Sequence, residues 1–411
     1  MEEISSNCGG DKVKNLSLFE DQRQTLENSI AQTAETLKEY LPKYKHVAIS
    51  FSGGKDSSAL VTAIAHLIDT QQIPRPENLV VLYADTRMEL PPLQISAFDI
   101  LKKMEQRGFE TRKVCAPMDK RFLVYILGRG VPPPNNSTLR WCTRQIKVDP
   151  MTAALSDVRS KLLPDEKLLM LTGVRIGESA ARDTRIAVSC SKNGAECGQG
   201  WFQSITAPQT DTLAPLLHWR VCHVWEWLWL HAPSIGFDTS ILAEAYGGEE
   251  AEEINARTGC VGCPLTSKDA ALDGVIKQPA WEYLKPLKQL RLIFKEMRSF
   301  ENRLQKTATE TRKDGTLVLN PGRKGPLTLE ARARFLEEIL LVQKQANDSA
   351  IALNRPQIDL INAEEEARIR ELIALETFPN GWSGKEHRGD VLLPSVYPDG
   401  SIQPLLWEVT P

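Results

Sequence analysis

Between residues 46 and 173, short apolar runs alternate with helix-length stretches, and this rhythm leaves few folds open to the chain. Segments 46–51, 79–84, 110–115 and 167–173 read as strands; 57–69, 93–107 and 145–160 read as helices. Strands separated by helices run parallel and need a helical layer on each face. The pattern therefore predicts an α/β, doubly wound parallel sheet, with ligands beyond the carboxyl ends of its strands. An amphipathic helix with Leu16, Leu18, Leu26, Ile30 and Leu37 on its apolar face is expected over 16–40. From about residue 280 the alternation stops. Segments 281–308 and 328–346 read as helices around a Gly/Pro-containing connection at 314–326, which makes an added helical C-terminal region.

Composition narrows the address. No run of eighteen apolar residues occurs, so no membrane span is expected. Residues 1–20 are polar and acidic, unlike a secretory signal, so a cytoplasmic protein is expected. Its eight cysteines then read as thiols or ligands in preference to disulfides. A net charge of −3 excludes an all-over cationic coat. Yet thirteen basic residues face only five acids between 285 and 334, which reads either as a solvated helix face or as a polyanion contact.

The chemistry concentrates at Ser50-Phe-Ser52-Gly53-Gly54-Lys55-Asp56-Ser57-Ser58, between the first strand and the following helix. Glycines let backbone N–H groups close around a phosphate, and a helix N-terminus adds partial positive charge. Lys55 supplies a point charge, and Ser52, Ser57 and Ser58 supply hydroxyl donors. The spacing is not Walker A, which has four residues between its first glycine and Gly-Lys-[Ser/Thr].

This string resembles the signature of the PP-loop ATP pyrophosphatases and 3′-phosphoadenylylsulfate (PAPS) reductases. The resemblance implies cleavage of ATP between its α- and β-phosphates, with Mg²⁺ present. Two further stretches extend it. Tyr83-Ala-Asp-Thr-Arg-Met-Glu89 is similar to the family's segment after the second strand, which implies that Asp85 and Glu89 sit near the nucleotide. Thr172-Gly-Val-Arg-Ile-Gly-Glu-Ser-Ala-Ala-Arg182 resembles its Gly-x-Arg-x-x-Glu-Ser-x-x-Arg loop. That match places Gly173, Arg175, Glu178 and Ser179 in the nucleotide site, with Arg175 and Arg182 facing phosphates.

Cys142 follows a proline-rich loop, and Cys260-Val-Gly-Cys263-Pro264 lies far downstream. The residues alone leave an iron–sulfur cluster, a zinc ion and a redox dithiol open. The resemblance favours the cluster: Cys142, Cys260 and Cys263 match the cysteine pattern of the DNA phosphorothioation (DndC-type) members, which implies a [4Fe–4S] centre. Cys197, flanked by Gly198 and Gly200, is preferred to Cys190 as fourth ligand, against an open iron site. Cys8 is assigned to a tail, and Cys115 and Cys222 to the core. No cysteine follows Cys263 in this sequence, so the attacking thiol of true PAPS reductases is missing.

These readings divide the chain into an N-terminal helical segment (1–40), a nucleotide-binding and iron–sulfur core (41–275) and a basic, mainly helical region (276–411). The expected activity is adenylation of a DNA backbone phosphate by ATP, followed by sulfur insertion relayed through the cluster. Lys55, Asp56, Arg175 and Arg182 are the expected catalytic residues. DNA would bind through 285–334, a cysteine desulfurase would supply sulfur, and other subunits of a modification complex would assemble with the chain. The alternatives are a tRNA or small-carrier thiolase, an adenylyl-sulfate reductase-like enzyme, and a nucleotide-sensing subunit without catalysis.

Overall fold

The apolar run at the start of the alternation becomes the centre of a sheet. In the strand β1 (His46–Phe51), Val47, Ala48, Ile49 and Phe51 are fully buried. Such a strand needs cover on both faces, as parallel sheets provide. The computed structural model describes residues 25–136, 139–177, 201–204, 210–247, 259–306, 310–311, 317–318, 323–392, 395–396 and 401–403. They fall into two compact units, the first built from 1–85, 89–114 and 151–258, the second from 86–88, 115–150 and 259–411.

In the first unit, α1 (Leu26–Tyr40) precedes β1, and α2 (Lys55–Asp69) follows it. Next come β2 (Asn78–Asp85), α3 (Pro91–Gln106), β3 (Glu110–Cys115), α4 (Asp149–Arg159) and β4 (Leu168–Leu171). Two strands were not foreseen: β5 (Trp201–Ser204) and β6 (Thr210–Ala214). The strand order is β3-β2-β1-β4-β6-β5, with five parallel strands and β5 antiparallel at the edge. The register sets His46 opposite both Asn78 and Leu168. Strand β6 escaped notice because Thr-Asp-Thr opens it. Asp211, only 2% exposed, is satisfied there by the Tyr44 hydroxyl at 2.7 Å and the Lys167 ammonium at 3.3 Å.

Helix α2 is buried over residues 57–65, as befits a helix enclosed in a core. The tryptophan-rich stretch forms α5 (Val221–Glu226) and continues as a π-helical turn through Trp227–His231. Trp219, Trp225 and Trp227 are buried. Each buried indole N–H needs an acceptor, and two find threonine hydroxyls. Trp219 donates to Thr33 on α1 at 2.9 Å, and Trp227 to Thr62 on α2 at 2.8 Å.

In the second unit, a 3₁₀ helix (Pro279–Lys288) leads into α6 (Gln289–Glu296), which buries Leu290, Ile293 and Phe294. The helix expected over 281–308 ends there. The Asn302 side chain takes the Glu296 carbonyl at 3.0 Å, and Arg303–Gln305 becomes strand β7. It pairs antiparallel with β8 (Lys324–Leu327) and β9 (His387–Arg388). Helix α7 (Leu329–Ala352) sits between β8 and β9 in the chain, with α8 (Ala363–Ala374) after it. Leu16 and Leu18 lie outside the described residues, and no described helix is long and apolar enough to cross a membrane.

Replacing Thr62 by Val strands the buried Trp227 N–H, and the expected cost is about 2 kcal/mol of stability. Urea titration should show a lower midpoint for Thr62→Val and recovery on adding Trp227→Phe. An unchanged midpoint for the single variant would show that this bond does not hold the helix.

Candidate functional site

The turn from β1 into α2, expected to hold phosphate, lies in the first unit. Gly53 has φ +73°, and a Cβ there would stand 3.1 Å from the Ala97 methyl and 3.4 Å from the Tyr83 ring. Gly54 caps the helix with no side-chain hydrogen bond, which leaves the positive end of the α2 dipole without a capping side chain. Ser57 Oγ accepts from the Ser52 N–H at 3.2 Å and donates to the Gly54 carbonyl at 3.0 Å, which tightens the loop. Ser52 Oγ stands 3.1 Å from the same hydroxyl. Ser58 Oγ is buried without a hydrogen-bond partner. Ser50 is half-buried at the end of β1.

Gly173 follows β4 and presses on the first turn of α2. A Cβ there would lie 2.9 Å from the Asp56 carbonyl oxygen and 3.0 Å from the Ser57 nitrogen. That contact delivers Arg175, only 2% exposed, to the helix start. Its Nε donates to Asp56 at 2.6 Å and its Nη1 to the Trp219 carbonyl at 3.1 Å. Asp56 also meets Lys55 Nζ at 3.5 Å, so one carboxylate lies between two cations. Arg175 was expected to face phosphates. In this structure its guanidinium orients Asp56.

Asp85 ends β2 and is 8% exposed. The buried Tyr83 hydroxyl, which has no hydrogen-bond partner, is held far above its ordinary pKa by burial and then by the charges of Glu89 and Asp85. Glu178, Ser179, Arg182, Cys190 and Cys197 lie outside the described residues.

The sequence reading missed Tyr246. Its hydroxyl accepts from the Lys55 N–H at 3.3 Å, and its ring lies 5.2 Å from Lys55 Nζ. It follows the short helix Ser240–Ala245, almost two hundred positions from the loop, and nothing local marks it.

Cys142, Cys260 and Cys263 belong to the second unit. Cys142 is half-buried; burial pushes its thiol above the ordinary range, and Cys263 adds to that rise. A turn carries the other pair, with the Cys263 N–H on the Cys260 carbonyl at 3.1 Å and the Gly262 N–H on Asp269 at 3.1 Å. No group of three or more His, Cys, Asp or Glu side chains able to hold a metal occurs among the described residues. The expected ligand set of Cys142, Cys260, Cys263 and Cys197 is thus not assembled by the residues described: a cluster needs thiolates converging on one centre, and here the thiols do not form such a group. Cys115 and Cys222, expected in the core, are half-buried.

Residues 46–235 match the family model of the phosphoadenosine phosphosulfate reductase domain. The chain carries a PAPS reductase-like domain. An uncharacterized protein of Methanocaldococcus jannaschii is 25% identical over 269 residues, covering 62% of this chain and 54% of the relative. The chain thus spans about half the length of that curated relative. Among solved structures, a PAPS reductase from Candida auris in complex with phosphate aligns with TM-score 0.32 and 11% identity, over 54% of this chain and 91% of that one. The U34-tRNA thiolase NcsA from Methanococcus maripaludis, with its [4Fe–4S] cluster, aligns with TM-score 0.32 and 17% identity, over 67% and 82%. The matched span of the PAPS reductase-like domain contains the Gly53 turn, Asp85, Glu89 and Arg175.

Removing Asp56 from this domain leaves a buried guanidinium without its carboxylate. Asp56→Ala is expected to cost about 3 kcal/mol in a denaturant titration, and adding Arg175→Met to recover part of it. Equal losses for the single and double variants would contradict a coupled pair.

Proposed function

We propose that the chain is an ATP pyrophosphatase that adenylates a DNA backbone phosphate in preparation for sulfur insertion. The observation that carries this reading is the α2 start, where Gly54 supplies no capping side chain and Lys55, Asp56 and Arg175 form one charged row. A triphosphate suits that row. The N–H groups of the helix start take phosphate oxygens, Lys55 neutralises them, and the Asp56–Arg175 pair holds the helix turn in place. Lys55 and Tyr246 are coupled through the Lys55 N–H, so the tyrosine ring orients the lysine stem. Bound Mg²⁺ would neutralise charge on the polyphosphate, and Asp85 and Glu89 suit it because Mg²⁺ takes one or two carboxylates besides phosphates.

The reaction balances as follows. A non-bridging oxygen of the DNA phosphodiester attacks the α-phosphorus of ATP, the α–β anhydride bond breaks, and pyrophosphate leaves. A sulfide-equivalent nucleophile, furnished by a cysteine desulfurase and a thiol reductant, then attacks the activated phosphorus. AMP departs with the original oxygen, and the backbone keeps sulfur. No redox change occurs at phosphorus. Cys142 and Cys263 are the thiols we assign to sulfur handling, both lying in the second unit. Positioning and charge neutralisation supply the rate enhancement, as in other transfers to phosphorus.

Nucleotides digested from the DNA of cells with and without the gene, compared by mass spectrometry, test this reading. Phosphorothioate dinucleotides are expected only with the gene, and absent with Cys142→Ser or Cys263→Ser. In purified protein, Lys55→Ala is expected to lower AMP formation by about 100-fold or more. Unmodified DNA in the presence of an active protein would reject the substrate assignment.

A further inference from the structure

Folding sorts the basic run of the second unit into two kinds of cation. Lys285 pairs with Glu282 at 3.4 Å, Lys288 with Asp273 at 2.7 Å and Lys306 with Glu386 at 3.2 Å. Arg334 pairs with Glu296 at 2.6 Å and Glu338 at 3.1 Å. Arg332 is fully buried, its Nη1 donating to the carbonyls of Gly128 at 3.0 Å and Thr377 at 2.7 Å. The acids that neutralise several of these residues lie outside the basic run, which is why sequence counting exaggerates the free charge.

Arg298, Arg303 and Lys324 differ. No described carboxylate forms an ion pair with any of them. Asp390 acts on Lys324 without pairing, both its oxygens being taken by Arg388 at 2.7 and 2.8 Å. Neutral acceptors hold the three in place. Arg303 donates to the carbonyls of Gly325 at 2.8 Å and Lys324 at 2.9 Å. Arg298 donates to the carbonyls of Pro134 and Pro264, the latter at 3.3 Å, while its Nε–H is buried without a partner. Lys324 Nζ reaches Gln305 at 2.6 Å and the Gly389 carbonyl. Carbonyl and amide oxygens fix a cation's position and leave its full charge in place.

With Arg323 these cations line a cavity of about 480 Å³, whose other lining residues are Pro132, Pro133, Asn135 and Leu139. Every described residue lining it is basic or uncharged. Its size lies within the range of about 300–1,000 Å³ typical of pockets for small ligands, enough for a nucleotide unit and too small for a duplex. The cations strain one another: burial lowers Arg303 to about 10 with Arg298 adding to the shift, and burial and then Arg303 lower Lys324. An anion in the cavity would relieve that repulsion.

We propose that this cavity seats one phosphodiester of a DNA strand, gripped by Arg298, Arg303, Arg323 and Lys324. The proposal rests on the DNA reading above and gives it a location. It also brings substrate and sulfur chemistry together. Leu139, which lines the cavity, precedes Cys142 by one helical turn's worth of sequence, and Arg298 ties the proline loop to Pro264, the residue after Cys263. Asn136 makes a second tie, to the Leu265 carbonyl at 2.6 Å.

Fluorescence anisotropy with a short single-stranded DNA, across a salt series, tests the site. Arg323→Gln/Lys324→Gln is compared with Lys285→Gln/Lys288→Gln, an equal charge change at paired lysines outside the cavity, and melting curves check that both variants fold. The cavity variant is expected to bind about tenfold more weakly and to lower the salt slope by about one, as loss of a phosphate contact does. The control should change affinity by less than about twofold. Equal weakening of both variants, or none, while the wild type binds DNA would overturn the cavity and leave the DNA reading standing. If the wild type binds no DNA, but inorganic phosphate raises its melting temperature and not that of the cavity variant, a phosphate site exists, DNA is not its ligand, and the substrate reading fails with the proposal.

Discussion

The Asp56–Arg175 ion pair is the interaction on which the phosphate cradle depends. Arg175 is 2% exposed, a buried charge is costly without a close partner, and Asp56 supplies a carboxylate at 2.6 Å. The carboxylate sits in the first turn of α2, where a helix dipole favours negative charge. That placement ties the segment after β4 to the helix after β1, across two neighbouring parallel strands. Gly173 makes the approach possible, because any side chain there would collide with the backbone of Asp56 and Ser57. Lys55, beside Asp56 in the chain, holds its ammonium 3.5 Å from that carboxylate and 5.2 Å from the Tyr246 ring. Geometry at the loop therefore follows from one buried charge and its partner.

Much of this was legible in the sequence, for a physical reason. The strands β1 and β2 are covered on both faces, so the runs Val47–Ile49 and Leu79–Ala84 within them carry no charged side chain and stand out against polar turns. Gly53 and Gly54 were readable because a positive φ and a helix start without a side-chain cap both demand glycine. Strand β6 was not, since its Asp211 is neutralised by Tyr44 and Lys167 and so looks like a loop residue. Tyr246 was invisible for a different reason: its role is set by where the chain returns in space, and short-range patterning carries no record of that.

Charge and thiols show the same limit. Counting cations along 285–334 gave one basic face, whereas folding recruits Glu282, Asp273, Glu338 and Glu386 to neutralise several of them. Arg298, Arg303, Lys324 and the buried Arg332 are held by carbonyl and amide oxygens with no described carboxylate partner, and no sequence rule marks them out. The Cys260/Cys263 spacing likewise announced a paired site, yet among the described residues the thiols do not assemble into a metal-binding group. Ligand spacing reports what a turn can present; convergence with Cys142 is decided by packing between distant segments.

The central claim is that ATP activates an oxygen of the DNA backbone, and oxygen tracing tests it most directly. DNA carrying ¹⁸O at its non-bridging phosphate positions is incubated with the protein, ATP, Mg²⁺ and a sulfide source, and the released AMP is weighed by mass spectrometry. The account predicts AMP bearing one ¹⁸O for each phosphorothioate formed, because the attacking oxygen leaves with the adenylyl group. AMP without label, or ADP as the nucleotide product, would contradict it.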